Sequence, residues 1–172
     1  MSFIYLPIET KTSELSARLA LAKKLNKCNP KSNIIILPHE SFLIAVKYFN
    51  IPPGFVLYKS AQESVINELK LLKNKGFTTA CTDEEAIIVF RNSENKIYTR
   101  YTEESLRYLD FIFAWTREEY KLLCDLKESS KSKVKIIESG NYRTSKIFEE
   151  HENICLLKKK TNTILFVSTF CE

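Results

Sequence analysis

The sequence predicts an α/β domain built on a doubly wound, mainly parallel sheet. Three observations carry this. Apolar runs alternate with helical periodicities almost from end to end. Some runs, above all residues 33–37 (NIIIL), are unbroken, as in a strand covered on both faces. The strand-to-helix spacing suits right-handed βαβ units rather than hairpins.

The first element, residues 2–6 (SFIYL), is short, aromatic and β-branched, and reads as a strand. Thr12, Ser13 and Glu14 supply capping chemistry for a helix over 13–26, with Leu15, Leu19, Ala22 and Leu25 recurring at three and four on its apolar face. The strand at 33–37 is stopped by Pro38. A helix over 41–48 follows, and Pro52-Pro53-Gly54 ends that unit. Residues 55–57 form a third strand. A helix over 61–75 places Val65, Ile66, Leu69 and Leu72 on one face and stops at Gly76. A fourth strand covers 77–81 and leads into Asp83-Glu84-Glu85. Beyond a polar insert at 92–95 come a helix at 103–108, a strand at 110–115, a helix at 117–126 with Tyr120, Leu123 and Leu126 inward, and a strand at 134–137. A last helix is expected at 144–156 and a last strand at 163–167, with almost nothing after it.

Composition narrows the function classes. A chain of 172 residues suits one domain with a proper core. Its hydrophobic fraction of 44% and charged fraction of 27% are those of a globular protein. Only three glycines occur, too few for a glycine-rich phosphate loop, so no nucleotide cofactor of the common kinds is expected. The net charge of +5 mildly favours anionic partners, or simply marks a solvated basic face; nucleic acid is not expected. The five cysteines form no CxxC pair and only two histidines accompany them, so no metal site is expected and the thiols read as buried and reduced. The N-terminus lacks the shape of a secretory signal, and no run approaches the ~20 apolar residues of a membrane span. A cytoplasmic location is expected, with docking at the inner face of a membrane left open.

In open α/β sheets ligands sit beyond the carboxyl ends of the strands, so the strand-exit loops are where chemistry belongs. At the first exit Glu9 and Lys11 can meet a polar ligand, or stand as solvated charges at a helix start. At the second, His39 and Glu40 at a helix N-terminus suit a hydroxyl-rich or anionic substrate, with a plain Ser41 cap as the alternative. At the fourth, the carboxylates of Asp83, Glu84 and Glu85 invite a general base for a sugar hydroxyl; equally they form an acidic first helical turn. At the sixth, Gly140, Asn141 and Arg143 make either an anion site or an ordinary strand-to-helix turn. Trp115 reads as packing, and Lys158-Lys159-Lys160 as a solvated linker.

Taken together, several of these loops resemble one family, the bacterial surface carbohydrate biosynthesis proteins. Tyr5-Leu6-Pro7-Ile8-Glu9-Thr10-Lys11 followed by Glu14-Leu15 is similar to that family's opening "YLPIE-K-REL". Leu72 to Phe77 leading to Asp83-Glu84-Glu85 resembles its "LKKRGF…DEEG", Asp110 to Trp115 its "DLFFAWG", and Ser139-Gly140-Asn141 with Arg143 its "TGNPR". The order and spacing agree over roughly residues 3–168. The chain departs from the pattern at Ala86 and Thr116, where the family has glycine, and at Tyr142, where it has proline. The resemblance implies one half of a GT-B-like glycosyltransferase: residues 1–157 as the Rossmann-like, acceptor-side domain, and 158–172 as a linker and the first strand of a nucleotide-sugar domain that the chain lacks. It implies a nucleotide-sugar donor bound by that other domain and a glycan acceptor bound by this one. Asp83, Glu84 or Glu85 would be the base, with Glu9, Lys11, His39, Gly140, Asn141 and Arg143 around the substrate. The alternative is a non-catalytic domain that binds a glycan or a partner subunit.

Overall fold

The computed structural model describes residues 2–83, 97 and 99–143. Six strands, β1 (Ser2–Ile8), β2 (Ser32–Pro38), β3 (Phe55–Tyr58), β4 (Thr78–Cys81), β5 (Phe111–Ala114) and β6 (Lys135–Glu138), form one sheet in the order β2-β1-β3-β4-β5-β6. Every neighbouring pair is parallel. The connecting helices among the described residues are α1 (Lys11–Cys28), α2 (His39–Tyr48), α3 (Ile66–Asn74), α4 (Glu103–Arg107) and α5 (Arg117–Ser130). This is the doubly wound parallel architecture that the alternation predicts.

Side chains alternate across the strands and so feed two cores. Tyr5, Val56, Tyr58, Cys81 and Ile112 meet the helix residues Phe42, Leu69, Leu106 and Leu123 on the face covered by α2 to α5. Leu6, Leu57 and Ala80 point to the other face, against Leu21 and Ala22 of α1. Each fully buried leucine on these helices contributes about 1.5–3 kcal/mol over an exposed one. Gly76 ends α3 as expected. At φ +81 it lets its own N–H reach Lys73 O and the Phe77 N–H reach Leu72 O, both at 3.0 Å. Gly54 answers a different need: a Cβ there would run into the backbone oxygen of Phe3.

Some elements differ from the expectation. Helix α1 starts at Lys11, and no side chain of Thr10, its N-cap residue, closes the first turn. Glu14 does so instead, by reaching back to the N–H groups of Glu9 at 2.9 Å and Thr10 at 3.3 Å. That turns the helix so that Glu14, Ala17 and Arg18 are buried and Leu19 is 46% exposed. Residues 61–65 do not begin a helix. Ala61 bridges to Tyr101, and a 3-10 turn, Glu63–Val65, precedes α3. Cys81 is buried as expected, whereas Cys28 is exposed. The helix expected at 144–156, the strand at 163–167, the linker at 158–160 and the polar insert at 92–95 lie outside the described residues.

Candidate functional site

The strand order contains one reversal. The chain runs from β1 outward to β2, then crosses back over β1 to β3, so β1 and β3 lie side by side while their helices leave in opposite directions. Ligands of doubly wound sheets bind at such a switch point, beyond the carboxyl ends of the strands. Here those ends deliver Glu9 after β1 and Lys59 after β3. The Lys59 ammonium lies 2.7 Å from Glu9 Oε2 and 3.2 Å from Glu14 Oε1.

Glu14 is the buried member of this cluster, only 3% exposed. Burial by itself would raise its carboxyl. The Glu9 N–H, the Lys59 ammonium and the Thr10 N–H outweigh that and hold it below its ordinary value. Lys59 shows the mirror image: burial opposes its charge, and the carboxylates of Glu9 and Glu14 raise it nonetheless.

Behind Glu9 stands His39, the first residue of α2. Its Nε2 lies 2.9 Å from Glu68 Oε2 of α3, and its Nδ1 lies 3.9 Å from Glu9 Oε1. Tyr58 donates to the same Glu68 oxygen at 3.0 Å and meets the imidazole edge-on. The hydrogen bond to Glu68 raises the His39 pKa against the opposing effect of burial, with the charge of Glu9 adding to it and that of Lys59 opposing it. Three strand exits and α3 are thus joined by one chain of charges, Glu68–His39–Glu9–Lys59–Glu14.

In front of the chain opens a polar cavity of about 580 Å³. Its walls are hydroxyls, carboxylates and cations, among them Thr10, Ser13, Ser60, Ser64, Lys59 and Arg143. Arg143 donates from Nη2 to the Ser13 carbonyl at 2.8 Å and so closes the wall between α1 and the turn after β6. Arg100 lines the far side, where its guanidinium grips both oxygens of Asp83. A second, mostly apolar cavity of about 390 Å³ lies under α1, between Leu21, Leu25, Phe55 and Phe113, with Ser139 and Gly140 at one end.

The predicted site residues distribute unevenly over this edge. Glu9 and Arg143 line the polar cavity, and His39 stands directly behind Glu9. Gly140 takes the left-handed conformation (φ +70) at the turn after β6 but lines the apolar cavity. Asn141 is buried, and its side-chain oxygen accepts the Arg143 N–H at 2.7 Å, so it shapes the turn. Lys11 is exposed and lines neither cavity. Asp83 lies at the carboxyl edge as expected, yet it is 1% exposed and faces a guanidinium rather than only like charges. Glu84 and Glu85 lie outside the described residues. Trp115 packs as expected, its indole N–H bonded to Thr82 Oγ1 at 3.0 Å.

Four contributors were missed by reading the exits one at a time: Glu14, Lys59, Glu68 and Arg100. One signal was available. Glu14, Arg18, Leu21 and Leu25 recur at helical spacing, which sets two charges on the apolar side of α1. Comparison of the chain with known protein families, with curated proteins and with solved structures finds no match.

Proposed function

We propose that this chain is the acceptor-side domain of a glycosyltransferase-like protein of bacterial surface polysaccharide biosynthesis. It holds a glycan acceptor at the β1/β3 switch point while a separate domain brings the nucleotide-sugar donor. The observation that carries the reading is the Glu9–Lys59–Glu14 cluster facing a hydroxyl-rich polar cavity. Saccharide hydroxyls are both donors and acceptors, and a wall that alternates carboxylate, ammonium and hydroxyl groups can satisfy both roles. The segments that resemble the surface carbohydrate family also build this wall, since Glu9 and Glu14 come from the first of them and Arg143 from the last.

In this reading the domain binds and orients. Glu9 and Lys59 fix an acceptor hydroxyl, and Arg143 and Ser13 bound its far side. The hydroxyl then attacks the anomeric carbon of the donor sugar, the nucleotide leaves with its phosphate, and the hydroxyl proton passes to a carboxylate of this edge. A base needs an oxygen lone pair aimed at the substrate. Asp83 is 1% exposed and pairs through both oxygens with Arg100, so its part is to hold that arginine in the wall. Glu84 and Glu85, which follow it in the chain, are the proposed bases. In this reading the protein works in the cytoplasm, with docking at the inner face of the membrane left open. No helix among the described residues is long and apolar enough to cross one.

The same engagement of Asp83 favours a second reading, a glycan-binding module without catalysis. Calorimetry addresses what both share. Oligosaccharide fragments of surface glycans are expected to bind this chain saturably, while free nucleotide sugars bind poorly for want of a phosphate loop. Tight binding of a nucleotide sugar, with none of any saccharide, would reverse the assignment. Transfer activity on pairing with a donor domain, abolished by Glu84→Gln or Glu85→Gln, separates enzyme from module.

A further inference from the structure

Charge is sorted along the strands of this sheet. All six strands are parallel and start at one edge, so the helices that lead into β2 to β6 end there. The helices open on carboxylates, Glu14, Glu40, Glu68, Glu103 and Glu118 among them. They close on cations: Lys27, Lys47, Lys73, Arg107 and Lys127. The helix dipole favours that arrangement. It does not account for the segments that carry the chain from the helix ends to the strands. These add Lys31, Lys75, Lys131, Lys133 and, at the start of β6, Lys135, all exposed. The carboxylates on the same stretches are Asp110 and Glu128. Asp110 is taken up by the Lys73 ammonium at 2.7 Å and the Thr79 N–H at 2.8 Å. Among the described residues, positive charge therefore gathers at the amino edge, opposite the polar cavity.

The same edge displays the two most exposed large hydrophobic side chains among the described residues, Tyr48 (67%) and Phe49 (72%). They stand at the end of α2 on a braced loop. The Phe49 N–H donates to Ala45 O at 3.0 Å, the Tyr5 hydroxyl to Pro52 O at 2.8 Å, and the Thr78 N–H to Gly54 O at 3.0 Å. An aromatic side chain left in water forgoes the gain of burial, and two held side by side mark a contact surface. A cation attends them: the Lys47 ammonium lies 5.2 Å from the centre of the Tyr48 ring.

We propose that this amino edge docks on an anionic membrane surface, with Tyr48 and Phe49 at headgroup level and the surrounding lysines on the lipid phosphates. Aromatic rings beside lysine are the chemistry of the bilayer interface, where an apolar body meets a wet, negative layer. Of the described cations at this edge only Arg107 is an arginine. Lysine is a hydrated point charge that suits a diffuse field of lipid charge, whereas arginine's planar fork suits the fixed phosphates of a nucleic acid. No helix among the described residues is long and apolar enough to cross a bilayer, so the docking is peripheral. The polar cavity then lies away from the lipid, beyond strands of four to seven residues, about 13–23 Å in length. The proposal is independent of what that cavity binds.

The test is sedimentation of the full chain with vesicles of phosphatidylcholine alone or with about a third phosphatidylglycerol. Binding is expected to be at least ~10-fold tighter on the anionic vesicles and to weaken as salt rises, since screening shortens the reach of exposed charge. Each basic residue at such a surface strengthens binding roughly fivefold. Lys31→Glu/Lys133→Glu is therefore expected to weaken it at least ~25-fold, and Lys121→Glu, on the outside of α5, less than ~3-fold. Tyr48→Ser/Phe49→Ser, at exposed positions, is expected to lose at least ~10-fold with unchanged circular dichroism and an unchanged salt dependence. Orientation has its own readout. Tryptophan introduced by Phe49→Trp is expected to be quenched by brominated lipid, while Trp115, at the other end of β5, is not. Equal binding to the two vesicle types overturns the proposal, as does indifference to both double variants or quenching of Trp115 alone. Tighter binding of single-stranded RNA or duplex DNA than of anionic vesicles at the same salt overturns it too, by giving the edge to nucleic acid.

Discussion

Replacing Glu14 by alanine removes the hub of the carboxyl-edge cluster, and the structure fixes the expected cost. The side chain is 4% exposed, so solvent screens little of what it does. Three partners are lost: the Glu9 N–H at 2.9 Å, the Thr10 N–H at 3.3 Å and the Lys59 ammonium at 3.2 Å. A hydrogen bond to a charged group is worth about 1.5–3 kcal/mol, with long ones at or below the lower end. Gross loss is therefore about 4 kcal/mol. Against it stand the relief of a buried charge and a few tenths of a kcal/mol from alanine's helix propensity. We expect Glu14→Ala to destabilise by about 2–4 kcal/mol in urea unfolding, with unchanged m-value, and Glu14→Gln by less, since one acceptor oxygen remains. The pH dependence has a definite sign. The folded carboxyl titrates below its ordinary 4.5, so its stabilisation is present above that value and is lost as the pH falls through the folded pKa. Glu14→Ala is expected to flatten this acid limb. A Glu14→Ala protein within 0.5 kcal/mol of the parent, or less damaged than Glu14→Gln, would refute the role given to this carboxylate (thresholds of about the size of a surface substitution).

His39 is expected to titrate above 6.5 by NMR of its ring protons, and Glu68→Gln to lower it; its stabilisation is full below 6.5 and disappears as the pH rises through the folded value, so an unshifted His39 in Glu68→Gln would contradict the pairing. Asp83→Asn removes one buried carboxylate from the Arg100 guanidinium and is expected to destabilise by about 1–4 kcal/mol, measured by thermal and urea unfolding, whereas a cost no larger than that of a surface substitution would mean the pair is solvated. Gly54→Ala drives a methyl into the Phe3 backbone and is expected to cost at least ~1–3 kcal/mol in the same assay, with a neutral result showing that β1 and the turn before β3 are not in contact.

The sheet was legible because most of its strands carry short apolar runs with turn residues between them. Asn33–Leu37 and Phe111–Ala114 can pack on both faces only in a sheet covered twice. The rotation of α1 was less legible. Periodicity favours Leu15 and Leu19 inward, but the two orphan N–H groups at its start recruit Glu14, and that bond decides which face is buried. Strand exits announce that an edge is functional, so Glu9, His39 and Arg143 could be named from sequence. They do not announce pairings across strands distant in sequence. Lys59 follows a four-residue strand with no motif, and Glu68 sits mid-helix. Both join the cluster only because β1 and β3 become neighbours. The pairing of Asp83 with Arg100 is equally silent in the sequence, the two being seventeen residues apart.

The most direct test of the central claim is amide-resolved NMR of the ¹⁵N-labelled chain titrated with surface-glycan oligosaccharides, beside a Lys59→Met control. The account predicts saturable shifts at Thr10, Ser13, Ser60, Gln62 and Ser64, which ring the polar cavity, and at least ~10-fold weaker binding in the variant, about 1.4 kcal/mol for one charge-assisted contact. Shifts confined to the apolar cavity or the β2 edge, or equal affinity in Lys59→Met, would contradict it.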